Sequence, residues 1–377
     1  MQERPPGTLR ERHQHLPLKA AAGRDALKAR LPPRLSTFLH HCFAPCKRLL
    51  LSWMAARHLH GPLPRLAIPL RSRDPLPPRS STILVIRKQH GTLVDIRADL
   101  SWLQSRGGFS TAWRRLGVFV DILSRPSVPD GDWVADTGDS VSGDGPVVGF
   151  CSNRPDSLLI PDRGFHSSRG YARQRRQSTA APAFDARDAL VVWRGSATGF
   201  GAATNATMNP TDADLRQRVR MCLMLRGDAG RTLGVDARIV PGRNAPADVA
   251  DAYRRAGIAG AGTPESSWAG RKFAIDIDGN ANAFSNLFIR LIYGCCVIKI
   301  DSPLGYRQWY YDRLEPWRHY VPVAADMADL VERIDWCRRH PDACREIAAA
   351  GREFALSLVP EAEYRRTAEA IGRQARD

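Results

Sequence analysis

Several familiar chemistries have no signature in this chain of 377 residues. Its eight cysteines contain no Cys-x-x-Cys pair, so neither a thioredoxin-type redox centre nor a zinc ribbon is expected. The ten histidines are dispersed, and the one adjacent pair, His40 and His41, lies in a basic arm. No compact metal-ligand set follows from that spacing, so no metal is expected. A Gly-x4-Gly-Lys-Ser/Thr loop is missing, which argues against a P-loop kinase, and no Gly-x-Gly-x-x-Gly follows a strand, which argues against a dehydrogenase. No Gly-x-Ser-x-Gly elbow marks an α/β hydrolase. No apolar run reaches the roughly 20 residues of a membrane-spanning helix.

Acidic residues are scarce as well: 39 Asp and Glu stand against 55 Lys and Arg, for a net charge of +16. The imbalance is concentrated. Residues 1–80 hold 15 basic and 4 acidic residues and 12 of the 27 prolines. That composition reads as a basic, partly disordered extension. Pro5, Pro6 and the charges around them do not look like a secretory signal. Within the extension, residues 35–59 mix apolar and basic side chains, as an amphipathic segment lying on an anionic membrane surface would. Nucleic acid is the other partner for a basic arm, but no helix-turn-helix or zinc spacing supports it. The scattered cysteines read as reduced core thiols of a cytosolic protein.

Beyond residue 80 the chain reads as α/β. Residues 81–185 form a first α/β unit with strands at Thr82–Arg87, Trp133–Ala135, Val147–Cys151 and Leu158–Ile160 and a helix at Ala112–Leu123. The basic run Ser167–Gln177 reads as a solvated helix. Residues 186–356 form a second α/β unit, and residues 357–377 a last helix.

The stretch Arg271–Val323 organises the second unit. Phe273, Ile275 and Ile277 alternate with Ala274 and Asp276, as in a strand. Asp278-Gly279-Asn280 turns the chain, with Asn280 or Asn282 as the expected helix cap. Phe284, Leu287, Phe288, Leu291 and Ile292 recur at helical spacing until Gly294. Cys295–Ile300 reads as an apolar strand with no alternation, as expected of a strand buried on both faces. Such a unit in a parallel sheet binds ligands beyond the carboxyl ends of its strands, and a helix N-terminus after a Gly turn suits a phosphate. Upstream, Ala189–Trp193 is a second buried strand, followed by Arg194-Gly195-Ser196-Ala197-Thr198-Gly199, whose small and hydroxyl residues let backbone approach a diphosphate.

These motifs together resemble glycosyltransferase family 90. The matching pieces are VVWRGSATG (191–199), KFAIDIDGN (272–280), VIKIDSP (297–303) and WYYDRLEPWRHYVPV (309–323). That family includes protein O-glucosyltransferases, capsule-associated xylosyltransferases and bacterial lipopolysaccharide-modifying enzymes. The resemblance implies a GT-B-like fold, two Rossmann-like domains with a cleft between them and a C-terminal helix crossing back to the first. It implies a UDP-sugar as donor substrate and a glycan or lipid-linked glycan as acceptor; with no metal set in the sequence no other cofactor is expected, and the thiols and the segment 35–59 suggest a cytoplasmic protein, peripheral on the inner membrane. Arg194, Gly195, Ser196, Thr198, Asp278, Gly279, Asn280, Asn282 and Ser285 are the donor-side residues it picks out. Eukaryotic members carry an Arg near the donor phosphates where this chain has Ser285-Asn286. Arg290 comes later and is either a substitute or a surface arginine, and the change suggests a bacterial-type member. Aromatic residues at Trp309, Tyr310, Tyr311, Trp317 and Tyr320, with Arg318 and His319, suit base or sugar contacts or simply pack the loop.

Transfer to a hydroxyl needs a general base. Asp136 and Asp139 stand together after the strand Trp133–Ala135. By its place in the loop Asp139 matches the family's base, and Asp136 orients the loop. An inactive carbohydrate or nucleotide binder of the same fold and a nucleic-acid binder are the alternative classes, and turnover of a nucleotide sugar separates them.

Overall fold

The structure, a computed structural model, describes residues 70–72, 82–98, 106–141, 145–242 and 245–375. The segment 35–59 and most of the basic extension lie outside the described residues. Residues Leu66–Asp377 form one compact unit that holds two main sheets.

The first sheet has six strands in the order β1-β3-β2-β4-β5-β7. Its centre is a hairpin of β2 (Ile83–Gln89) and β3 (Thr92–Ala98). Positive φ at both His90 and Gly91 lets a two-residue turn follow the strands' twist. Ile83 to Ile86 are all buried, so β2 is covered on both faces. Strand β4 (Gly131–Asp136) runs antiparallel to β2, pairing Ile83 with Asp136. Short strands β5 (Val148–Gly149) and β7 (Leu158–Leu159) continue in parallel, while β1 (Leu70–Ser72) adds an edge from within the extension. Helix α1 (Arg106–Leu123) precedes β4.

The basic run at 167–177 is not one solvated helix. It divides into α2 (Arg163–Ser167) and α3 (Ala172–Thr179), separated by positive φ at Arg169, Gly170 and Tyr171. Arg175 is buried enough to donate to the carbonyls of Ala355, Leu356 and Leu358 at 2.9, 2.7 and 2.8 Å. It satisfies the open carbonyls of another helix end.

The second sheet is all parallel, with strands β8 (Val191–Gly195), β9 (Val235–Ile239), β10 (Phe273–Asp276), β11 (Cys296–Ile300) and β13 (Val321–Val323). Their spatial order is β13-β11-β10-β8-β9. After β8 the chain therefore adds one strand on one side, then crosses β8 to build the other side. The switch point falls between β8 and β10, where such sheets leave a crevice at the strands' carboxyl ends. All five residues of β11 are buried, Lys299 included, so the strand is covered on both faces. Helices α4 (Gln217–Met224), α5 (Gly227–Leu233), α6 (Ala247–Arg255), α7 (Ser285–Ile292), α8 (Leu330–Arg339) and α9 (Pro341–Ser357) accompany the sheet. Val191, Ile275, Ile298, Val321, Leu330 and Ile347 share one core. Each such side chain contributes about 1.5–3 kcal/mol by leaving water.

One helix start differs from expectation. The N-cap of α7 is Phe284, at φ 42°, rather than Asn280 or Asn282, whose side chains are used elsewhere. Helix α8 begins after Asp329, and Asp326 accepts from the Ala328 amide in the preceding turn. The end of α7 is as read: Gly294 takes φ 71°, and Arg187 donates to the carbonyls of Tyr293 and Gly294 at 2.8 and 2.7 Å.

A two-stranded ribbon of β6 (Cys151–Ser152) and β12 (Arg307–Gln308) ties the loops of the first sheet to those of the second. Helix α10 (Pro360–Gln374) packs against α1 and β7, with Arg125 donating to both oxygens of Glu361 at 2.7 and 3.0 Å.

Candidate active site

The strand ends at the switch point meet. Strand β8 delivers Gly195, Ser196 and Thr198, and β10 delivers Gly279 and Asn280. The Gly199 amide donates to Asn280 Oδ1 at 3.0 Å, joining the two loops directly. A side chain at Gly279 would put its Cβ 2.6 Å from Thr198 Oγ1, so glycine is what allows this approach. Between the loops lies a cavity of about 340 Å³. A smaller one of about 190 Å³ shares Gly279 and is walled by Phe200, Leu215, Pro303 and Leu304.

Arg218, on α4, organises both loops and was overlooked by sequence reasoning beyond its place in a helix. It donates to Asp278 O at 2.8 Å, Ile277 O at 3.0 Å, Ser196 O at 3.2 Å and Thr198 Oγ1 at 2.9 Å. It lines the larger cavity. Burial holds its pKa below the ordinary arginine value, against the pull of Asp276 and Asp278. A cation held this way gains from an incoming anion. The one available signal was the spacing of arginines 216, 218 and 220, which does not say which of them turns inward.

Arg194, the arginine expected near the donor, lines the same cavity, but its charge is answered by a carboxylate. It forms an ion pair with Asp236 and donates to the carbonyls of Trp193, Asp236 and Ala261. Ser196 and Thr198 do reach the cavity, as do Gly195, Asn280 and Asn282. The amide of Asn282 is also spent, donating to Asp278 Oδ1 at 3.0 Å and Tyr306 O at 3.1 Å, while its oxygen accepts from Cys151 at 3.0 Å. It fixes the wall and ties it to β6. Asp278 is buried in the wall of the smaller cavity, and its second oxygen has no hydrogen-bond partner among the described residues.

Two of the expected donor residues lie elsewhere. Ser285, the first residue of α7, does not line the cavity. Arg290 is neither at the cavity nor on the surface: it is buried, with its guanidinium 3.6 Å from the Trp268 ring centroid. Phe284 and Asn286 line the cavity in their place.

The two candidate bases separate by environment. Asp136 is buried, and its Oδ1 accepts from Thr82 Oγ1 at 2.6 Å and from the Gly138 amide at 2.7 Å. It shapes the loop. Asp139 is half exposed, lines the 340 Å³ cavity and accepts from Arg115 at 2.7 Å. The first sheet therefore contributes one carboxylate to a cavity otherwise built by the second.

The aromatic loop divides too. Trp309 and Tyr310 are buried among Phe165, Phe288 and each other. Trp317 meets Trp336 edge-on at 4.9 Å, and His319 stacks on Phe354 at 4.7 Å. None of them lines the switch-point cavity.

The cysteines are less scattered than the sequence suggests. Among the described residues, the sulfurs of Cys296, Cys337 and Cys344 lie within 4.8 Å of one another, all buried. They belong to the core between β11, α8 and α9 and do not line the cavity.

Residues 225–362 match the model of glycosyl transferase family 90. Protein 027R of Frog virus 3, uncharacterized, is 34% identical over 198 residues, covering 47% of this chain and 19% of that protein. Protein O-glucosyltransferase 2 of Danio rerio is 37% identical over 84 residues, covering 22% of this chain and 16% of the fish protein. Protein O-glucosyltransferase 3 of Homo sapiens is 32% identical over 88 residues, covering 23% and 17%. The chain thus spans less than a fifth of the length of each of these relatives. The matched stretch contains β10, the Asp278–Asn282 turn, α7 and β11, so over the half of the switch point built from these elements the chain is similar to glycosyl transferase family 90, and the match supports a glycosyltransferase.

Proposed function

We propose that this chain transfers a sugar from a UDP-sugar to a hydroxyl of a glycan, a lipopolysaccharide or capsule acceptor of a bacterial-type enzyme, with the two sheets acting as the facing domains of a GT-B fold. The observation that carries this reading is the meeting of three groups on one cavity: the β8 loop, the β10 loop and Asp139 from the first sheet. The diphosphate lies between Ser196, Thr198 and Asn280, opposite Arg218. The nucleoside extends into the apolar 190 Å³ cavity beyond Gly279. Asp139 removes the acceptor proton as the oxygen attacks the anomeric carbon, and the UDP oxygen leaves with the bonding pair, its charge balanced by Arg218.

This reading requires no metal: Arg218 supplies the cation and the two loops supply hydroxyl and amide donors. Peripheral attachment at the cytoplasmic face of the inner membrane, through residues 35–59, belongs to the same proposal. The test is a panel of nucleotide sugars scored by thermal stabilisation and then by turnover. Stabilisation by UDP and by one UDP-sugar, with release of UDP, is the expected result. Binding without turnover points to an inactive relative, and absence of any UDP effect ends the proposal.

A further inference from the structure

A cavity of about 690 Å³, larger than either cavity at the switch point, lies at the carboxyl end of β11. It shares no lining residue with the cavity that holds Asp139, and it adjoins the 190 Å³ cavity at Ser302 and Tyr306. Its walls come from β11, the ribbon strand β12, the loop leading to Tyr320, the segment before β7, and α10.

Lys299 stands in this wall. Its side chain is only 5% exposed, yet its ammonium makes no hydrogen bond among the described residues. The nearest carboxylate, Asp301, is 4.0 Å away and mostly in solvent. Two aromatic faces flank the ammonium instead, Tyr311 at 5.1 Å and Tyr320 at 5.9 Å. Asp276 sits opposite Lys299 in the sheet register, but burial pushes its pKa up, with Lys299 opposing. The ammonium opens on the cavity with its donors unused, and a charge-assisted hydrogen bond to an incoming acceptor is favourable there.

The other carboxylates of the wall are already engaged. Glu363 takes both arms of Arg313, at 3.1 and 2.7 Å, and Asp312 pairs with Arg366 at 3.7 Å. Arg307 and Arg373 also line the cavity, so its cations outnumber its acids.

We propose that this cavity is a second ligand site, which takes an anionic saccharide: Lys299 donates to the ligand's carboxylate or phosphate, and the sugar ring lies against Tyr311 and Tyr320. The anion follows from Lys299 and the charge excess, independently of any catalytic role. That the ligand is a sugar rests on the glycosyltransferase reading, and within it the site holds an acidic part of the acceptor glycan.

The experiment is titration calorimetry on the full chain with glucose, glucuronate, glucose 6-phosphate and inorganic phosphate, alongside UDP as a separate ligand. One or both anionic sugars should bind at least about tenfold tighter than glucose, the scale of one charge-assisted contact. The stronger of the two identifies carboxylate or phosphate as the group received. Lys299→Met should abolish that preference while UDP still binds. If that variant does not fold, Arg366→Gln, on the exposed face of α10, should weaken the anionic sugar several-fold and leave glucose unchanged. Equal binding of glucose and the anionic sugars, or no saturable binding of either anion up to about 10 mM, overturns the proposal. Displacement of the anionic sugar by UDP also overturns it, because the site is then not separate from the donor's. Phosphate binding as tightly as glucose 6-phosphate overturns the saccharide part. Anionic-sugar binding without UDP binding defeats the donor reading and leaves this site standing.

Discussion

Arg115 on α1 donates to Asp139 Oδ1 at 2.7 Å and, through its other arm, to the carbonyl of Thr137 at 2.7 Å. The guanidinium also lies 5.8 Å from the Phe284 ring, at the strained start of α7. One side chain therefore touches the loop that carries the proposed base and the loop that faces it. The carboxylate is positioned while remaining half open to the cavity.

Asp139→Asn keeps size and hydrogen bonding but cannot accept a proton. Transfer should fall by at least about 100-fold, with stabilisation by UDP retained. A variant that turned over near the parental rate would remove Asp139 from the mechanism.

Arg218→Met should weaken UDP about 10- to 100-fold, the range for a lost charge-assisted hydrogen bond. Uridine, which has no phosphate, should be affected much less. Comparing the two by calorimetry separates a phosphate contact from general loosening of the loops, because loosening would weaken both alike.

Asp136→Ala should act on folding. It leaves the Thr82 hydroxyl and the Gly138 amide without their buried acceptor, a cost of about 1–3 kcal/mol. Urea unfolding measures this, and Thr82→Val in the same background should add less than it costs alone, because the pair is coupled. Full additivity would show that the contact carries no energy.

The glycines make unequal probes. A Cβ at Gly195 would meet the Trp193 ring at 2.6 Å, so Gly195→Val should destabilise the core as well as the site. Gly279→Ala presses on Thr198 Oγ1 and the Arg218 guanidinium, which belong to the site itself. It should lower UDP affinity with a smaller loss of stability, read from parallel calorimetry and urea curves. The reverse order of effects would place the Gly279 turn outside the donor contact.

His319 offers a pH test. It is buried, its Nδ1 accepts from the Glu315 amide at 3.0 Å, and burial holds its pKa below the ordinary 6.5. The folded state therefore binds this proton less readily than the unfolded chain. Its contribution is complete above about pH 6.5 and is lost as the pH falls from there through the lower folded value. The parent should lose more stability between about pH 7.5 and pH 5.5 than His319→Gln does. Trp317→Ala, at an exposed edge contact, should change stability by no more than about 1 kcal/mol and leave turnover intact.

What the sequence by itself determined is local. The period of Phe273, Ile275 and Ile277, the helical spacing from Leu287 to Ile292 and the stop at Gly294 each depend on residues a few positions apart, and β10, α7 and β11 follow from them. Asp139 and the Gly279 turn were legible for the same reason, because strand ends carry their loops with them. The tertiary structure decided which side chains are free to act. Arg194 looked like the phosphate arginine, but β9 brings Asp236 alongside to neutralise its charge, whereas Arg218 from α4 meets the same cavity bonded only to carbonyls and a hydroxyl. Arg290 turns into the fold against Trp268. Cys296, Cys337 and Cys344, far apart in the chain, meet in the core, and Lys299, one of six residues in a plain run of strand, meets a cavity. Backbone periodicity is set by neighbours along the chain. The partners that satisfy or leave unsatisfied a buried charge come from strands and helices many residues away, and only the folded sheet order places them.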